Sequence, residues 1–440
     1  MQVLDRDRDI RNRSELIAWL TEAAELEHSL LIQYLFAAYT LKKFPNEGLT
    51  DPQTEVTRNW ESMMLHVARQ EMAHLGMVSN LLTAVGGRPH FKKPNFPQPV
   101  APHRPFPFLL ERFAGSSLQR FIRAEQPQPQ AMALVADAVP HEPTFDYTGE
   151  LYRKIEKGFV DVAADLAGRQ EQLFIGPPAG QDEGTWSTSV TTQGVTDLDT
   201  AKRAIAQIIQ EGEGAPVGSP TSHFSIFTGI AKELSDAQAA DPRFAPARMV
   251  ASNPMTHAHP DANGDVNLIT NESARQLAGL FNTIYASTLL MLMQYFDFSG
   301  ESDEERVYLR NAIRQTMSEI LRPIAEILTT LPVGADAAGE RAGPGFEFYD
   351  TSLDISGQLA PRWILLHERF RQESLDAASL VNDFEFPARL SYIREGIDLR
   401  LRNLETLLTA SHATSFSTSA LAQRALRPHQ KPMRVKSTTI

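Results

Sequence analysis

A glutamate and a histidine stand three positions apart inside the apolar stretch ARQEMAHLGMVSNLLTAVGG, residues 68–87. On a helix, Glu71 and His74 would share one face with apolar neighbours such as Val67 and Val78. An unpaired carboxylate costs on the order of several kcal/mol to bury, so it must be protonated, paired or bound to a metal. The Glu-x-x-His spacing is one that places two metal ligands on the same helix face.

The preceding helical pattern also turns an acid inward. Glu27 lies among leucines and alanines, and Tyr34 follows it seven positions later on the same face. Tyr34 has two equally weighted interpretations. It either packs in the core, or it acts catalytically by donating a hydrogen bond to a bound oxygen species or relaying an electron.

Two later patterns leave a choice between neighbouring acids. Around residue 150 we favour Glu156, which has Tyr152 and Phe159 beside it, over Glu150, whose neighbours are charged. Around residue 211 we favour Glu213 and keep Glu211 open. The next helical pattern begins at His223.

These residues together predict a metal centre. No inward-facing lysine or arginine is evident on the same stripes, and a metal ion would satisfy every buried acid at once. The predicted ligands are Glu27, Glu71, His74, Glu156, Glu213 and His223. Four carboxylates and two imidazoles on a helical bundle are typical of ferritin-like di-iron and di-manganese sites. The other histidines considered are better explained by packing or solvated loops: His28, His103, His141, His257 and His259.

Long helical patterns dominate the elements that would position these residues. They are predicted at 14–43, 54–85, 108–124, 147–168, 198–214, 222–234, 272–296, 301–331, 360–380 and 388–410. No convincing alternating strand pattern and no internal repeat is present. The sequence therefore predicts an all-α protein. The expected domains are a bundle over 1–240, a helical region packed on it over 241–410, and a disordered basic tail over 411–440.

Composition narrows the class of protein. The 440 residues carry 42 basic and 54 acidic side chains, a net charge of −12, which argues against a nucleic-acid partner. There is no cysteine, so thiolate metal sites and disulfides are excluded. The charged N-terminus does not resemble a signal peptide, and no run of about 18 apolar residues predicts a membrane span. We expect a cytoplasmic protein.

Several segments together resemble a known family. They include ELEHSLLIQYLFAAYTLK, RQEMAHLGMVSNLLTAVGGRP, GELYRKIEKG and LFNTIYASTLLMLMQYF, in matching order over most of residues 14–380. The resemblance is to the ferritin-like family of the iminophenyl-pyruvate dimer synthases, parts of the bisindole-forming enzymes of violacein and rebeccamycin biosynthesis. Those enzymes carry the region within a much longer chain. Here the last ligand helix also departs from the ferritin Glu-x-x-His pattern, because Glu213 and His223 are ten residues apart.

The resemblance implies a ferritin-like four-helix bundle with an additional C-terminal helical region. It also implies oxidative coupling of an α-imino acid, such as the imine of indole-3-pyruvate, at a centre that holds two iron ions. Manganese or a single metal ion would also suit the ligands. The competing functions are an iron-handling or peroxide-consuming protein and a metal-free binding scaffold. The expected partner is a small molecule, and a homodimer is compatible with the sequence.

A substrate would need an opening beside the metal ions. The glycines and prolines between residues 212 and 223 predict an interrupted helix and a gap there. The proline-rich loop 87–107, with Phe91, Phe96 and Phe106, could cover that gap as an apolar lid. The equally weighted alternative is that both loops simply cover the bundle. Arg104 is the expected anchor for a substrate carboxylate.

Overall fold

The computed structural model describes residues 8–101, 104, 106–126, 149–187, 190–212, 219, 221–258, 266–336, 339–348, 355–383 and 388–425. His103, His141 and His259 fall outside these ranges. Helices make up most of the described residues. They are α1 (Arg13–Thr40), α2 (Asp51–Ala84), α3 (Gly115–Ala124), α4 (Gly149–Gly168), α5 (Leu198–Glu211), α6 (His223–Ala240), α7 (Glu272–Phe296), α8 (Asp303–Gln315), α9 (Arg322–Leu328), α10 (Leu359–Asp383) and α11 (Ala388–Ala425). The prediction of a mostly helical protein is confirmed.

The strands within the described residues are short. β1 (Gly184–Ser187) and β2 (Val190–Thr192) form an antiparallel hairpin. β3 (Pro254–Met255) and β4 (Asn267–Leu268) pair in parallel. The hairpin packs on α2 and adds a small polar cover to one side of the bundle.

Two long helices, α1 and α2, form the centre of the bundle and pack extensively on each other. The side chain of Asn12 accepts a hydrogen bond from the backbone N–H of Glu15 and caps the start of α1. Thr50 and Gln53 cap the start of α2 reciprocally. Both helices then bury nearly every residue of their C-terminal halves, so these segments lie in the core.

Four shorter helices complete the bundle in two pairs. α3 packs against α6, and α4 packs against α5. α4 also contacts α1, while α5 and α6 contact α2. The ends of α3 and α5 and the start of α6 therefore fall near the middle of the bundle, where side chains can converge.

The C-terminal helices pack on the same central pair. α7 contacts α8, α9 and α10, and α9 contacts α1. α7 is the one described helix that is long and apolar enough to cross a membrane, but 78% of its apolar window is buried inside the protein. Core helices commonly pass this test, and α7 is explained by its packing.

Several elements differ from the sequence-based boundaries: α3 begins at Gly115 where 108 was predicted, and α6 continues to Ala240 where 234 was predicted. The pattern over 301–331 forms α8, a π-helical stretch (Thr316–Leu321) and α9 in direct succession. Pro323 is the second residue of α9. α11 continues to Ala425, beyond Ser411, where the sequence predicted that a disordered tail begins. Residues 426–440 lie outside the described part of the chain.

Candidate metal centre

The centre is built on the two long helices. Glu27 on α1 and Glu71 and His74 on α2 have no exposed surface. The three-residue spacing of Glu71 and His74 places both on the face of α2 that turns toward α1, as the sequence predicted. The imidazole Nδ1 of His74 lies 3.1 Å from Glu71 Oε2 and 3.4 Å from Glu27 Oε2. These three side chains could hold one metal ion.

A second group shares Glu71. The imidazole Nδ1 of His223, the first residue of α6, lies 3.0 Å from Glu71 Oε1 and 3.5 Å from Glu125 Oε2. Glu71, Glu125 and His223 could hold a second ion. Each oxygen of Glu71 faces a different group, so its carboxylate could contribute one oxygen to each.

Glu125 replaces Glu156 in the observed cluster. Glu125 caps the C-terminal end of α3 and is fully buried, whereas Glu156 on α4 is half-buried and belongs to neither group. The buried face of α4 runs through Ile155 and Phe159, about 100° around the helix from Glu156. The prediction that Glu156 lies on the buried face of α4 was therefore wrong. Applying the same face rule to α3 would have found Glu125, which follows Phe121 by four positions.

Each histidine is oriented through its second ring nitrogen. Nε2 of His74 lies 3.3 Å from a carboxylate oxygen of Glu211, and Nε2 of His223 lies 3.2 Å from the amide oxygen of Gln70. When Nε2–H donates to these acceptors, the lone pair on Nδ1 points into the cluster, an arrangement common around metal sites. Glu211, the alternative kept open in the sequence, thus contacts a histidine, and Glu213 lies outside the described residues.

Two tyrosines hold the outer oxygens of the terminal carboxylates. The hydroxyl of Tyr34 donates to Glu125 Oε1, and the hydroxyl of Tyr152 on α4 donates to Glu27 Oε1. Tyr34 also packs edge-on against Phe121, with ring centroids 4.8 Å apart. Sequence reasoning identified Tyr34 but missed Tyr152, whose position on the buried face of α4 was the available signal.

Burial and mutual charge set the protonation of the cluster in the absence of a metal. Burial, with Glu71 close by, raises the pKa of Glu27 to about 8. Burial alone would lower the pKa of His223, but Glu125 and Glu71 raise it to about 9. Burial alone would also lower the pKa of His74, but the surrounding carboxylates raise it well above its usual value. Burial alone would raise the pKa of Glu71, but His223 and His74 lower it below the ordinary range of a glutamate.

The residues fit a pair of metal ions. Four buried atoms that face the shared space form no hydrogen bond among the described residues: Glu27 Oε2, Glu71 Oε1, Glu125 Oε2 and His223 Nδ1. Buried polar atoms are rarely left unsatisfied, and carboxylate and imidazole donors suit iron or manganese. The backbone closes tightly around the rings, because a Cβ on Gly212 would stand 3.2 Å from His223 Nδ1 and from His74 Cε1.

The predicted substrate opening does not coincide with the cavity that the structure shows. A cavity of about 250 Å³ lies between α1, α2, α7 and the π-helical stretch, and none of its described lining residues comes from 212–223. From the loop 87–107, Phe91 lines it, while Phe96 and Phe106 are buried elsewhere. Arg104 does not line it: it is buried and donates to the side chain of Gln98. Residues 213–218 and 220 of the predicted opening lie outside the described part of the chain, so the opening and its lid stay predictions. Arg104 is not placed to anchor a ligand in this cavity.

Comparison with known proteins gives the family. A Ferritin-like family model matches residues 20–232. Dichlorochromopyrrolate synthase of Lentzea aerocolonigenes is 30% identical over 413 residues, covering 85% of this chain and 40% of the relative. The 2-imino-3-(indol-3-yl)propanoate dimerase of Chromobacterium violaceum is 27% identical over 363 residues, covering 76% of this chain and 34% of the relative.

A solved ferritin-like protein from Caulobacter vibrioides is 18% identical, covers 63% of this chain and 85% of its own, and has a TM-score of 0.41. The chain spans about two fifths or less of the length of the two enzymes it matches. The resemblance noted in the sequence, and the ferritin-like fold it implied, are confirmed by the family match and by these two relatives. Residues 20–232, which carry the cluster, belong to the ferritin-like family, and the chain is related to both of these enzymes along most of its length.

Proposed function

We propose that the protein is a metal-dependent oxidative enzyme whose ferritin-like domain holds two iron ions. The observation that carries the proposal is the arrangement around Glu71. Its two oxygens face two separate groups, one completed by Glu27 and His74 and the other by Glu125 and His223. Each group also offers inward atoms without hydrogen bonds among the described residues. Manganese is the alternative metal, because the same hard oxygen and imidazole donors suit it.

Bound iron would supply one-electron redox chemistry with dioxygen or peroxide as the electron acceptor. The role of the chain is to balance the positive charge of the ions bound at that centre. Three carboxylates offset most of the charge of two divalent ions, and the Tyr34 and Tyr152 hydroxyls fix which oxygen of Glu125 and Glu27 faces inward. Because Tyr34 donates to Glu125, we assign its hydroxyl the role of positioning that ligand.

The substrate class follows from the relatives. One is named as a synthase of dichlorochromopyrrolate and the other as a dimerase of an indole-bearing imino acid. We propose that this chain couples two molecules of a small α-imino acid derived from an amino acid. Forming one carbon–carbon bond removes two electrons and two protons from the pair of substrates. Reduction of one hydrogen peroxide to two waters takes up the two electrons and the two protons.

The test combines metal analysis with product analysis. Protein purified without chelator is loaded anaerobically with iron(II), and its metal content is measured by mass spectrometry. It is then given 2-imino-3-(indol-3-yl)propanoate and peroxide, and the products are analysed for a dimer two hydrogens lighter than two substrates. We expect about two ions per chain and a dimer that the Glu71→Gln variant does not form.

Other outcomes would contradict the proposal in distinct ways. Oxidation of iron(II) with no effect on any organic acid would indicate an iron-handling or peroxide-consuming protein. Failure to bind iron or manganese would indicate a metal-free scaffold. Dimer formation at the parent rate by the Glu71→Gln variant would show that the reaction does not use this centre.

A further inference from the structure

The cavity of about 250 Å³ lies beside the metal ligands on the α1–α2 pair, and none of the described ligands lines it. On α1 it is lined by His28, Leu31, Ile32, Leu35 and Tyr39, a stripe one position along from the stripe of Glu27. A step of one residue turns a helix by about 100°. The cavity and the cluster therefore share the two central helices but not their faces.

The interior of the cavity is apolar and shaped by aromatic rings. Phe281, Leu289 and Phe296 of α7 form one wall. Phe346 closes another wall, with its ring edge-on to Phe281 at 4.9 Å between centroids. Phe346 adopts a φ of +47°, a left-handed backbone that is costly for a residue with a side chain. Such strain concentrates at binding and active sites.

The inner end of the cavity carries one polar pair. The hydroxyl of Tyr285 and Nε2 of His28 lie 2.7 Å apart, and both residues line the cavity. Their ring centroids are 5.9 Å apart. A single paired polar group in an otherwise apolar space is typical of a ligand pocket, where few polar groups set the orientation of the bound molecule.

The outer end of the cavity is positively charged. Arg69, Arg314 and Arg322 line it, and Arg314 is exposed, which marks this end as the entrance. Arg322 is paired with Glu61 at 2.8 Å and with Glu326 at 2.9 Å. The guanidinium groups of Arg69 and Arg314 form no hydrogen bond or ion pair with any residue that the structure describes, so both lack an acidic partner at the entrance.

The entrance is also where the backbone departs from regular geometry. Met317, Ser318 and Leu321 of the π-helical stretch line the cavity beside Arg314. A π-helical turn inserts a residue into a helix and widens it, and such turns occur frequently at functional sites. Here the turn presents Arg314 and Met317 to the same opening.

We propose that this cavity binds one molecule of a small carboxylic acid that carries an aromatic ring. The ring lies among Leu35, Leu289 and Phe281, and the carboxylate faces Arg69 and Arg314. The volume is below the roughly 300–1,000 Å³ of pockets for drug-sized ligands, so it suits a single metabolite and not a coupled dimer. The assignment of this acid as the substrate rests on the proposed function, but its binding does not.

The site lies close to the metal centre without touching it. Leu31, Ala68 and Leu75 line the cavity and stand one helical turn from Glu27 and Glu71. None of the described residues in either ligand group lines the cavity. A bound acid is therefore separated from the ligands by one layer of side chains from the central helices.

Binding is measured with a stable probe, 3-(indol-3-yl)propanoate, by titration calorimetry. The uncharged amide of the same shape is the reference ligand. We expect the acid to bind about 10- to 100-fold more tightly than the amide, the range of one charge-assisted pairing. The Arg69→Ala, Arg314→Ala double variant should lose that preference and retain amide binding.

Two further variants test whether the probe binds inside this cavity or elsewhere on the protein. Arg243→Ala removes an exposed arginine that does not line the cavity and should bind the acid as the parent does. Leu292→Trp adds volume inside the cavity and should weaken both ligands, with an unchanged circular dichroism spectrum. Equal binding of acid and amide by the parent, or full binding by the Leu292→Trp variant, would overturn the proposal.

The same probe distinguishes this site from the metal function. Glu71→Gln should lose metal and bind the acid normally, because it does not line the cavity. If the parent couples imino acids but the double arginine variant shows an unchanged KM, the proposed function stands and the assignment of this cavity fails. If the probe binds as expected but no metal is taken up, the site stands and the metal function fails.

Discussion

The metal cluster and the cavity are built by neighbouring residues on the same two helices. Glu27 belongs to the cluster and the next residue, His28, lines the cavity. In the same way, Glu71 belongs to the cluster and Met72 lines the cavity. One face of the pair collects acids and imidazoles without exposed surface. The other collects leucines and aromatic rings, with arginines only at the rim. A rotation of about 100° separates the two, so a helix pair can keep a charged site and an apolar site within one thin layer.

The two sites depend on different parts of the chain. The cluster is held by helices inside residues 20–232, the part that matches the ferritin-like family. The cavity needs the C-terminal region as well, because α7 and the π-helical stretch form its outer walls. We therefore expect changes in the first region to alter metal content, and changes in the second to alter ligand binding.

The largest expected effect comes from the residue shared by both metal groups. Glu71→Gln keeps the shape of the side chain but removes the charge that faces both ions, so metal content should fall from about two ions per chain to near zero. Loss of a single orienting group around a metal typically costs 10- to 100-fold in affinity, and a shared ligand should cost more. Metal analysis after dialysis checks this.

The fold should survive that change, because the apolar neighbours of Glu71 still pack and the variant removes a buried charge. Circular dichroism and acid-probe binding serve as controls. A Glu71→Gln variant that holds two ions would show that Glu71 is not the bridging ligand.

A smaller effect is expected from Glu125, which the sequence analysis did not consider, compared with Glu156, which it predicted as a ligand. Glu125→Gln should reduce metal content to about one ion per chain, because Glu125 completes only the group with His223. Glu156→Gln is the matched control. It removes the same charge from a half-buried position outside both groups, and metal content should not change.

The reverse result would restore the sequence-based assignment of Glu156. Equal loss in both variants would instead point to a general effect of charge on the bundle, and would remove the distinction between the two groups.

The smallest expected effect is a dependence of stability on pH. In the metal-free protein the pKa of Glu27 is raised to about 8 and that of His223 to about 9. These two groups therefore hold more protons in the folded state than in the unfolded state between about pH 4.5 and 9, and their contribution to stability falls as the pH rises through this range. Metal ions replace those protons.

Thermal unfolding with and without metal measures this effect. The increase in Tm caused by metal should grow by several degrees from pH 6 to pH 8.5, since about 1 kcal/mol corresponds to roughly 2–4 °C in a domain of 150–250 residues. An increase that is constant or shrinks over this range would show that metal does not displace protons from the cluster. Glu71→Gln should show no such increase at any pH.

Much of the architecture could be predicted from local patterns. Apolar residues recurring at three and four positions located α1, α2 and α7 within a few residues, because burial of one helix face requires that spacing. The same rule found Glu27, Glu71 and His74, since an acid on an apolar face is visible without knowing what lies opposite. The order of segments also indicated the ferritin-like family, which the family match confirms.

Tertiary structure decided which residues meet across helices. Glu125 and Glu156 both follow helical patterns, and only the packing of α3 on α6 shows that Glu125 reaches His223. Tyr152 and Glu211 contact cluster residues more than 100 positions away in sequence, a distance at which periodicity carries no information. The cavity depends on the packing of α7 and the π-helical stretch against α1 and α2. A helical pattern fixes the direction of a side chain relative to its own axis, but what that side chain touches depends on the position of every neighbouring helix.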